Sequence, residues 1–198
     1  MNQEDGKDFL APQSGEQRTV VRKYGKHVFF QDFTMPGAAE SSEFLLFELS
    51  TIPSIVFPVT CDGKVIAIRQ FRHGANQFVL ELPGGCPLVP GADAAETFRR
   101  ELAEETGYSP TSFLQLVGSP LWFEPAASRM QYDAFLALDC IKTQEPKPDS
   151  NEVLRVELYE LSIWAMMLTN GSICDDKTIA VSLLALSALG WRLTPPAR

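Results

Sequence analysis

The chain has 198 residues, a formal net charge of −8 and a pI of about 4.8. Hydrophobic residues make up 45% and charged residues 21%, the balance of an ordinary globular protein. The length favours one main domain with a sizeable core, and the acidic balance argues against nucleic-acid or anionic-membrane binding driven by bulk charge.

Cysteine usage and the start of the chain indicate a reducing compartment. The four cysteines are scattered without a CxxC pair and only two histidines are present, so a structural zinc site is not expected. The first residues, MNQEDGKDFLAPQSGEQ, hold no apolar stretch typical of a secretory signal, and no apolar run is long enough for a membrane span. We expect a cytoplasmic protein with neither a membrane nor a nucleic-acid partner.

Short runs rich in β-branched and aromatic residues fill the first part of the chain and predict strands. The pair Asp62–Gly63 predicts a hairpin turn between two of them. After Gly84–Gly85 the spacing of the apolar residues changes from that of a strand to that of a helix. It predicts a helix over 94–106, with Asp93 as its N-cap and Gly107 at its end. Strands are predicted over 18–24, 26–33, 43–49, 54–60, 64–71, 78–83, 112–119, 132–139 and 153–160, and further helices over 161–170 and 175–189.

The order of these elements predicts an α/β fold. Strands cluster instead of alternating with helices, which favours a mixed sheet with helices on its faces over a doubly wound parallel sheet. The motifs GxGxxG and GxxxxGK[ST] are absent from the sequence, so neither a Rossmann nor a P-loop reading has support.

Three glutamates crowd the last part of the first predicted helix, in the run RRELAEETGY. Like charges three or four residues apart on a helix repel by about 0.2–0.5 kcal/mol per pair. Phe98 and Leu102 form the apolar stripe that should face the core. Glu101 and Glu105 fall on that same side, with Glu104 between the two faces. A solvated acidic face is therefore disfavoured, and a hard divalent cation with oxygen ligands is the natural partner.

The stretch ELPGGCPLVPGADAAETFRRELAEETGY, residues 81–108, resembles the signature of the Nudix hydrolases. The second half of that signature, R-E-U-x-E-E-x-G-U with U a bulky apolar residue, matches residues 100–108. The first half of the signature is not matched, because Cys86 stands at the position of its glycine and Ala92 at the position of its glutamate. A one-residue insertion in the intervening loop restores Gly85 as the signature glycine.

The flanking sequence resembles the ADP-ribose pyrophosphatases and related nucleoside diphosphate sugar hydrolases. RQFRHG at 69–74 followed by ELPGG at 81–85 is similar to their RQYR…ELPAG run, and GSICD at 171–175 to the stretch before their last helix. In their PG…E pattern, Ala126 stands here at the glycine and Met130 at the glutamate. This part of the sequence is more similar to that of less specific sugar-nucleotide hydrolases. The resemblance thus leaves the preferred base and sugar open.

The resemblance implies a Nudix α/β/α sandwich with a mixed β-sheet over residues 51–192, preceded by N-terminal antiparallel strands at 17–50 that build a homodimer. Residues 1–16 and 193–198 are expected to be flexible tails. The implied activity is a pyrophosphohydrolase that requires Mg²⁺, with Mn²⁺ as the alternative ion. It cleaves the diphosphate of ADP-ribose or another nucleoside diphosphate sugar to a nucleoside monophosphate and a sugar phosphate.

Two other functions stay open at this point. One is a non-catalytic Nudix-like ligand sensor, which the retained glutamates disfavour. The other is hydrolysis of another nucleoside diphosphate linked to a group X, such as a dinucleoside polyphosphate or coenzyme A. The RQFR…ELPGG context disfavours that reading.

The resemblance also implies which residues bind the metal. The ligands are three carboxylates and the backbone carbonyl of a glycine. The implied metal-binding residues are Gly84, Glu101, Glu104 and Glu105. Two glycines in succession allow the backbone to approach a metal or phosphate closely, although an ordinary turn after a strand is the alternative. For Glu104, the alternative is an ion pair with Arg100, four residues earlier.

Substrate and base positions complete the implied site. Arg72 is expected to meet the substrate phosphates, with a surface charge as the alternative. Glu81 is expected to reach the substrate or the metals, with a solvent-facing side chain as the alternative. Glu152, in the loop before the last strand, is the implied general base. Glu104 and Glu105 on the helix are the alternative catalytic residues. If one of them is the base, Glu152 is expected to be a solvated charge in the loop.

Overall fold

The computed structural model describes residues 10–191, which form two compact units. The first unit comprises residues 10–50 and 122–130, and the second comprises residues 51–121 and 131–191.

A three-stranded antiparallel sheet, in the order β1-β2-β3, makes up most of the first unit. Its strands are β1 (Gln13–Lys23), β2 (Lys26–Thr34) and β3 (Ser41–Leu49). Part of the expected N-terminal tail is therefore strand, because β1 begins at Gln13 and not near Arg18. Residues 1–9 of that tail, and the expected tail at 193–198, lie outside the described residues.

The segment 122–130 packs on this sheet, which the sequence patterns do not predict. The backbone of Phe47 in β3 accepts from the N–H of Arg129 at 2.7 Å and donates to the carbonyl of Ala127 at 3.1 Å. The guanidinium of Arg129 also lies over the ring of Phe29, 4.8 Å from its centroid. Mainly aromatic and apolar side chains of this unit line a cavity of about 320 Å³.

The second unit holds most of the remaining strands and all three helices of residues 10–191. In chain order the elements are β4 (Ser54–Thr60), β5 (Lys64–Arg72), β6 (Gln77–Glu81), β7 (Gly84–Gly85), α1 (Ala94–Thr106), β8 (Tyr108–Ser109), β9 (Ser112–Gln115), β10 (Leu121–Phe123, at the boundary of the two units in sequence), β11 (Met130–Lys142), β12 (Leu154–Glu160), α2 (Leu161–Thr169) and α3 (Asp176–Ala188). No helix in this described range is long and apolar enough to cross a membrane.

The main sheet mixes parallel and antiparallel pairs, as the clustering of strands predicts. Its central order is β11-β4-β5-β12. Strand β11 runs parallel to β4, whereas the β4–β5 and β5–β12 pairs are antiparallel. The short strands add to its edges: β6 pairs with β5, β7 with β4, and both β8 and β9 with β11.

Strand β4 is buried along its whole length because helices cover both faces of the sheet. On one face Val56 packs in a core cluster with Phe98 and Leu102 of α1. On the opposite face Phe57 meets Trp164 of α2 edge to face, with ring centroids 6.3 Å apart. This layering confirms the predicted α/β/α sandwich with a mixed sheet and N-terminal antiparallel strands.

Helix α1 begins and ends where its sequence predicts. The side chain of Asp93 accepts hydrogen bonds from the backbone N–H groups of Ala95 at 2.6 Å and Glu96 at 3.1 Å, so it caps the first turn. Gly107 ends the helix with φ at 79°, a left-handed conformation that favours glycine. The caps thus set the two ends of α1, and the packing of Phe98 and Leu102 sets the face that turns towards the sheet.

Candidate active site

The two glycines of β7 lie directly against the glutamates of α1. The backbone N–H of Gly84 donates to Oε2 of Glu105 at 3.0 Å. A Cβ added at Gly85 would lie 2.4 Å from the carboxylate of Glu101, and one at Gly84 would lie 2.4 Å from the carbonyl oxygen of Ser54. Gly84 therefore needs to be glycine, because a side chain there would push the backbone away from β4, whereas a side chain at Gly85 would displace the carboxylate of Glu101.

Glu105 is a buried carboxylate held among other negative charges. Only 2% of its surface is exposed. Burial raises the pKa of Glu105 well above its ordinary value, and the charges of Glu101 and Glu152 raise it further. The N–H of Gly84 and the charge of Arg72 oppose this rise without cancelling it. A cation at this position would relieve the repulsion.

Glu101 lies beside Glu105 in a similar environment. Burial raises its pKa, and the charges of Glu104 and Glu152 add to the rise, while Arg100 lowers it. The two inward glutamates predicted from the helical angles are therefore both present on the face that meets β7. They share one region of excess negative charge with Glu152.

Arg100 forms ion pairs with two of the helix glutamates, Glu101 and Glu104. Its guanidinium donates to Glu101 at 2.6 Å, to Glu104 at 2.6 Å and to the carbonyl of Cys86 at 2.8 Å. The alternative ion pair of Glu104 with Arg100 is thus formed, and the side chain of Glu104 is 43% exposed. Arg100 joins the helix to the loop after β7.

Arg72 and Glu81 form a two-pronged ion pair across neighbouring strands. Nε of Arg72 donates to Oε1 of Glu81 at 2.7 Å and Nη2 donates to Oε2 at 2.5 Å. The side chain of Glu81 is 5% exposed and that of Arg72 is 43% exposed. Glu81 is therefore a buried charge and not a solvent-facing one, and it directs the exposed guanidinium of Arg72.

Glu152 lies at the acidic cluster and is held at both carboxylate oxygens. Oε1 accepts from Nε2 of Gln70 at 3.1 Å, and Oε2 accepts from the backbone N–H of Asp149 at 3.1 Å. Its charge acts on both Glu101 and Glu105. Glu152 is thus a hydrogen-bonded carboxylate whose charge reaches the helix glutamates, and it is not a free loop charge.

The loop that carries Glu152 is fastened to the end of α1. The N–H of Lys147 donates to the carbonyl of Glu104 at 2.6 Å, and the side chain of Gln144 donates to the carbonyl of Ala103 at 2.8 Å. A Cβ added at Gly107 would lie 2.3 Å from the carbonyl oxygen of Gln144. Gly107 therefore both ends the helix and lets this loop pass close to it.

Gln70 is the site residue that sequence reasoning missed. It is 3% exposed and lies two residues before Arg72 on β5, on the same face of the strand. Strand alternation alone would have placed the two side chains together once Arg72 was singled out. No sequence pattern indicated that Gln70 would hydrogen-bond to Glu152, a residue that the family resemblance had singled out separately.

The donor chemistry of this cluster fits a hard divalent cation. Glu101 and Glu105 offer oxygen ligands, which Mg²⁺ prefers, and the negative charge to which Glu152 contributes favours a cation. Across residues 10–191, no three His, Cys, Asp or Glu side chains are arranged so that they could hold a metal ion. Arg100 occupies the carboxylates of Glu101 and Glu104 instead.

Comparisons with known proteins identify the family of this chain and its relatives. The NUDIX domain family profile matches residues 52–180. An ADP-ribose pyrophosphatase of Bacillus subtilis (strain 168) is 26% identical over 169 residues, which cover 82% of this chain and 89% of that protein. A methanol dehydrogenase activator of Bacillus methanolicus is 38% identical over 53 residues, 27% of this chain and 28% of that protein.

A solved structure shows the same fold. The crystal structure of an ADP compounds hydrolase superposes with a TM-score of 0.80 at 19% identity and covers 93% of this chain and 97% of that chain. The chain belongs to the Nudix family. It is a hydrolase acting on phosphoric anhydrides, related in sequence to an ADP-ribose pyrophosphatase.

Proposed function

We propose that this protein is a Mg²⁺-dependent pyrophosphohydrolase of nucleoside diphosphate sugars, ADP-ribose among them. The observation that carries the proposal is the buried carboxylate of Glu105, which lies against Gly84 and is surrounded by the charges of Glu101 and Glu152. A bound cation would neutralise the repulsion within this cluster and would lie where the phosphates of a substrate can reach it. The similarity over most of the chain to an ADP-ribose pyrophosphatase supports the substrate class.

The reaction needs a water, a base and charge neutralisation. Water attacks one phosphorus of the diphosphate, its proton passes to a carboxylate, and the bond from that phosphorus to the bridging oxygen breaks. The products are a nucleoside monophosphate and a sugar phosphate. When bound, Mg²⁺ stabilises the negative charge that builds on the phosphate oxygens and makes water more acidic.

The roles in this site divide between fixed and loop residues. Glu101 and Glu105 on the rigid helix, with Glu104 and the backbone of Gly84, bind the metal. Glu152, on the loop beside them, accepts the proton of the attacking water. This assignment leaves Arg72 for the substrate, because its guanidinium is fixed by Glu81 and still 43% exposed.

We further propose that residues 17–50 mediate homodimerisation of the chain. Several large apolar side chains on β1 and β3 are exposed, namely Val20 (55%), Val21 (47%), Phe44 (38%), Leu45 (46%) and Phe47 (40%). Exposed large apolar side chains on a small sheet are candidates for burial in an interface. A second copy of the chain would cover it.

The experiment that tests the function is a substrate panel of nucleoside diphosphate sugars, dinucleoside polyphosphates and coenzyme A. Product phosphates are released by a coupled phosphatase and measured with Mg²⁺, with Mn²⁺ and with chelator. We expect turnover of ADP-ribose or another sugar nucleotide that chelator abolishes. Turnover confined to coenzyme A or dinucleoside polyphosphates, or undiminished by chelator, would refute the proposal.

A further inference from the structure

The amide side chain of Gln70 connects the interior of the sheet with the candidate base. Gln70 lies on β5 opposite Leu154 of β12, so it is next to the point where the chain leaves the loop that carries Glu152. Gln70 as a whole is 3% exposed, and its Nε2 donates to Oε1 of Glu152 at 3.1 Å. It is therefore a buried, sheet-anchored donor to a loop carboxylate.

The orientation of this amide follows from its partner. A carboxylate only accepts hydrogen bonds, so the NH₂ group of Gln70 must face Glu152. Its carbonyl oxygen, Oε1, is then left buried without a hydrogen-bond partner in the described part of the chain. A buried acceptor without a partner is costly, at about 1–3 kcal/mol.

The second oxygen of Glu152 is held locally. Oε2 accepts from the N–H of Asp149, and the N–H of Glu152 in turn donates to the carbonyl of Asp149 at 2.9 Å. These bonds shape the turn but do not tie it to the sheet. The bond from Gln70 is the side-chain contact that ties the carboxylate to β5, whose position relative to α1 is set by the core.

We infer that Gln70 is a positioning residue that holds the carboxylate of Glu152 in the orientation from which its charge acts on Glu101 and Glu105. This inference rests on the proposed function, in which Glu152 accepts the proton of the attacking water. Gln70 acts on the reaction through Glu152. A methionine in its place would fill the same volume without the donor or the acceptor.

A double-mutant cycle tests this role. Gln70→Met is expected to lower kcat by about 10–100-fold, the range for residues that orient a site group, with KM changed much less. In the Glu152→Gln background the same substitution should cause no further loss, since no base remains to be oriented. Gln115→Met, a glutamine exposed on β9, is the matched control and should keep wild-type kinetics.

Two kinetic outcomes would overturn the inference. One is Gln70→Met with wild-type kcat. The other is losses that multiply in the double variant, which would mean that Gln70 acts independently of Glu152. Wild-type turnover by Glu152→Gln would overturn it as well, because Gln70 would then have no base to hold.

Hydrogen exchange provides a readout that does not depend on activity. In Gln70→Met the amides of Asp149 and Glu152 should exchange faster than in the wild type, while the amides of α1 keep their protection and show that the fold is intact. Unchanged exchange at Asp149 and Glu152 would refute the positioning role. If the wild-type protein hydrolyses none of the substrates, the proposed function fails while this measurement still decides whether Gln70 holds Glu152.

Discussion

Gly84 donates its backbone N–H to the buried carboxylate of Glu105 at 3.0 Å, and this bond joins the two-glycine strand β7 to the inward face of helix α1. The carboxylate is thereby fixed in a place where burial and the charges of Glu101 and Glu152 raise its pKa. The carboxylate of Glu105 is costly to ionise in the folded protein, yet the N–H of Gly84 holds it in place. We therefore expect it to bind a cation.

Replacing Glu105 should remove most of the activity. Glu105→Gln keeps the shape and can still accept from Gly84, but it takes one negative charge from the metal-binding cluster. We expect turnover with Mg²⁺ to fall by at least about 100-fold, the scale of losing one charge-stabilising group from an active site. Phosphate release from the best substrate measures it. Glu96→Gln, on the outward side of the same helix, is the control, and full activity of Glu105→Gln would contradict the site assignment.

The same substitution should stabilise the metal-free protein at neutral pH. A carboxyl group with a raised folded-state pKa stabilises the fold fully below its ordinary pKa, here 4.5, and loses that contribution as the pH rises through the raised value. Glutamine does not ionise, so it avoids this loss. In chelator, Glu105→Gln should melt above the wild type at neutral pH, by about 2–4 °C for each kcal/mol regained.

This stability difference should depend on pH and on Mg²⁺. It should shrink below pH 4.5, where Glu105 is protonated in both the folded and unfolded wild type. Adding Mg²⁺ should raise the melting temperature of the wild type more than that of the variant. Glu40→Gln, at an exposed position, should change neither. A lower melting temperature for Glu105→Gln across the pH range would show that its ionised form stabilises the fold.

Glu152→Gln should lower turnover by about 10²–10⁴-fold, the contribution of a positioned general base. Metal affinity should change little, because the helix glutamates remain. Asp149→Asn should matter less, since Glu152 contacts the backbone of Asp149 and not its carboxylate. Near-normal turnover of Glu152→Gln, together with loss of activity in Glu104→Gln, would place the base on the helix.

Arg72→Lys should weaken substrate binding more than it slows the chemical step. Lysine cannot bridge both oxygens of Glu81 and present a planar fork to a phosphate at the same time. A lost charge-assisted hydrogen bond of about 1.5–3 kcal/mol corresponds to a rise in KM of roughly 10–100-fold. Steady-state kinetics against Arg155→Lys, an exposed arginine on β12, checks this. An unchanged KM would exclude Arg72 from substrate contact.

The proposed homodimer should depend on the apolar surface of the N-terminal sheet. Wild-type protein is expected to sediment as a dimer at micromolar concentration. Leu45→Asp should shift it to the monomer, because a charge in an apolar interface loses its hydration. Leu114→Asp, at an equally exposed leucine in the second unit, should leave the dimer intact. A wild-type monomer at this concentration would rule the dimer out.

Local patterns in the sequence determined helix α1 and the direction of its glutamates. The caps at Asp93 and Gly107 and the helical period act within a few residues of one another, so α1 lies at 94–106 with Glu101 and Glu105 inward, as predicted. The resemblance to the Nudix signature likewise rests on neighbouring residues. The same local information named Glu152 and Arg72, without showing what either would contact.

Only the tertiary structure decided how distant segments meet. Gln70 and Glu152 are 82 positions apart in sequence, and their contact depends on the register of β5 with β12 and on the path of a loop fastened to α1. The attachment of residues 122–130 to the N-terminal strands is of the same kind. Strand register and loop path are set by the packing of many side chains at once. Patterns among neighbouring residues therefore do not predict them.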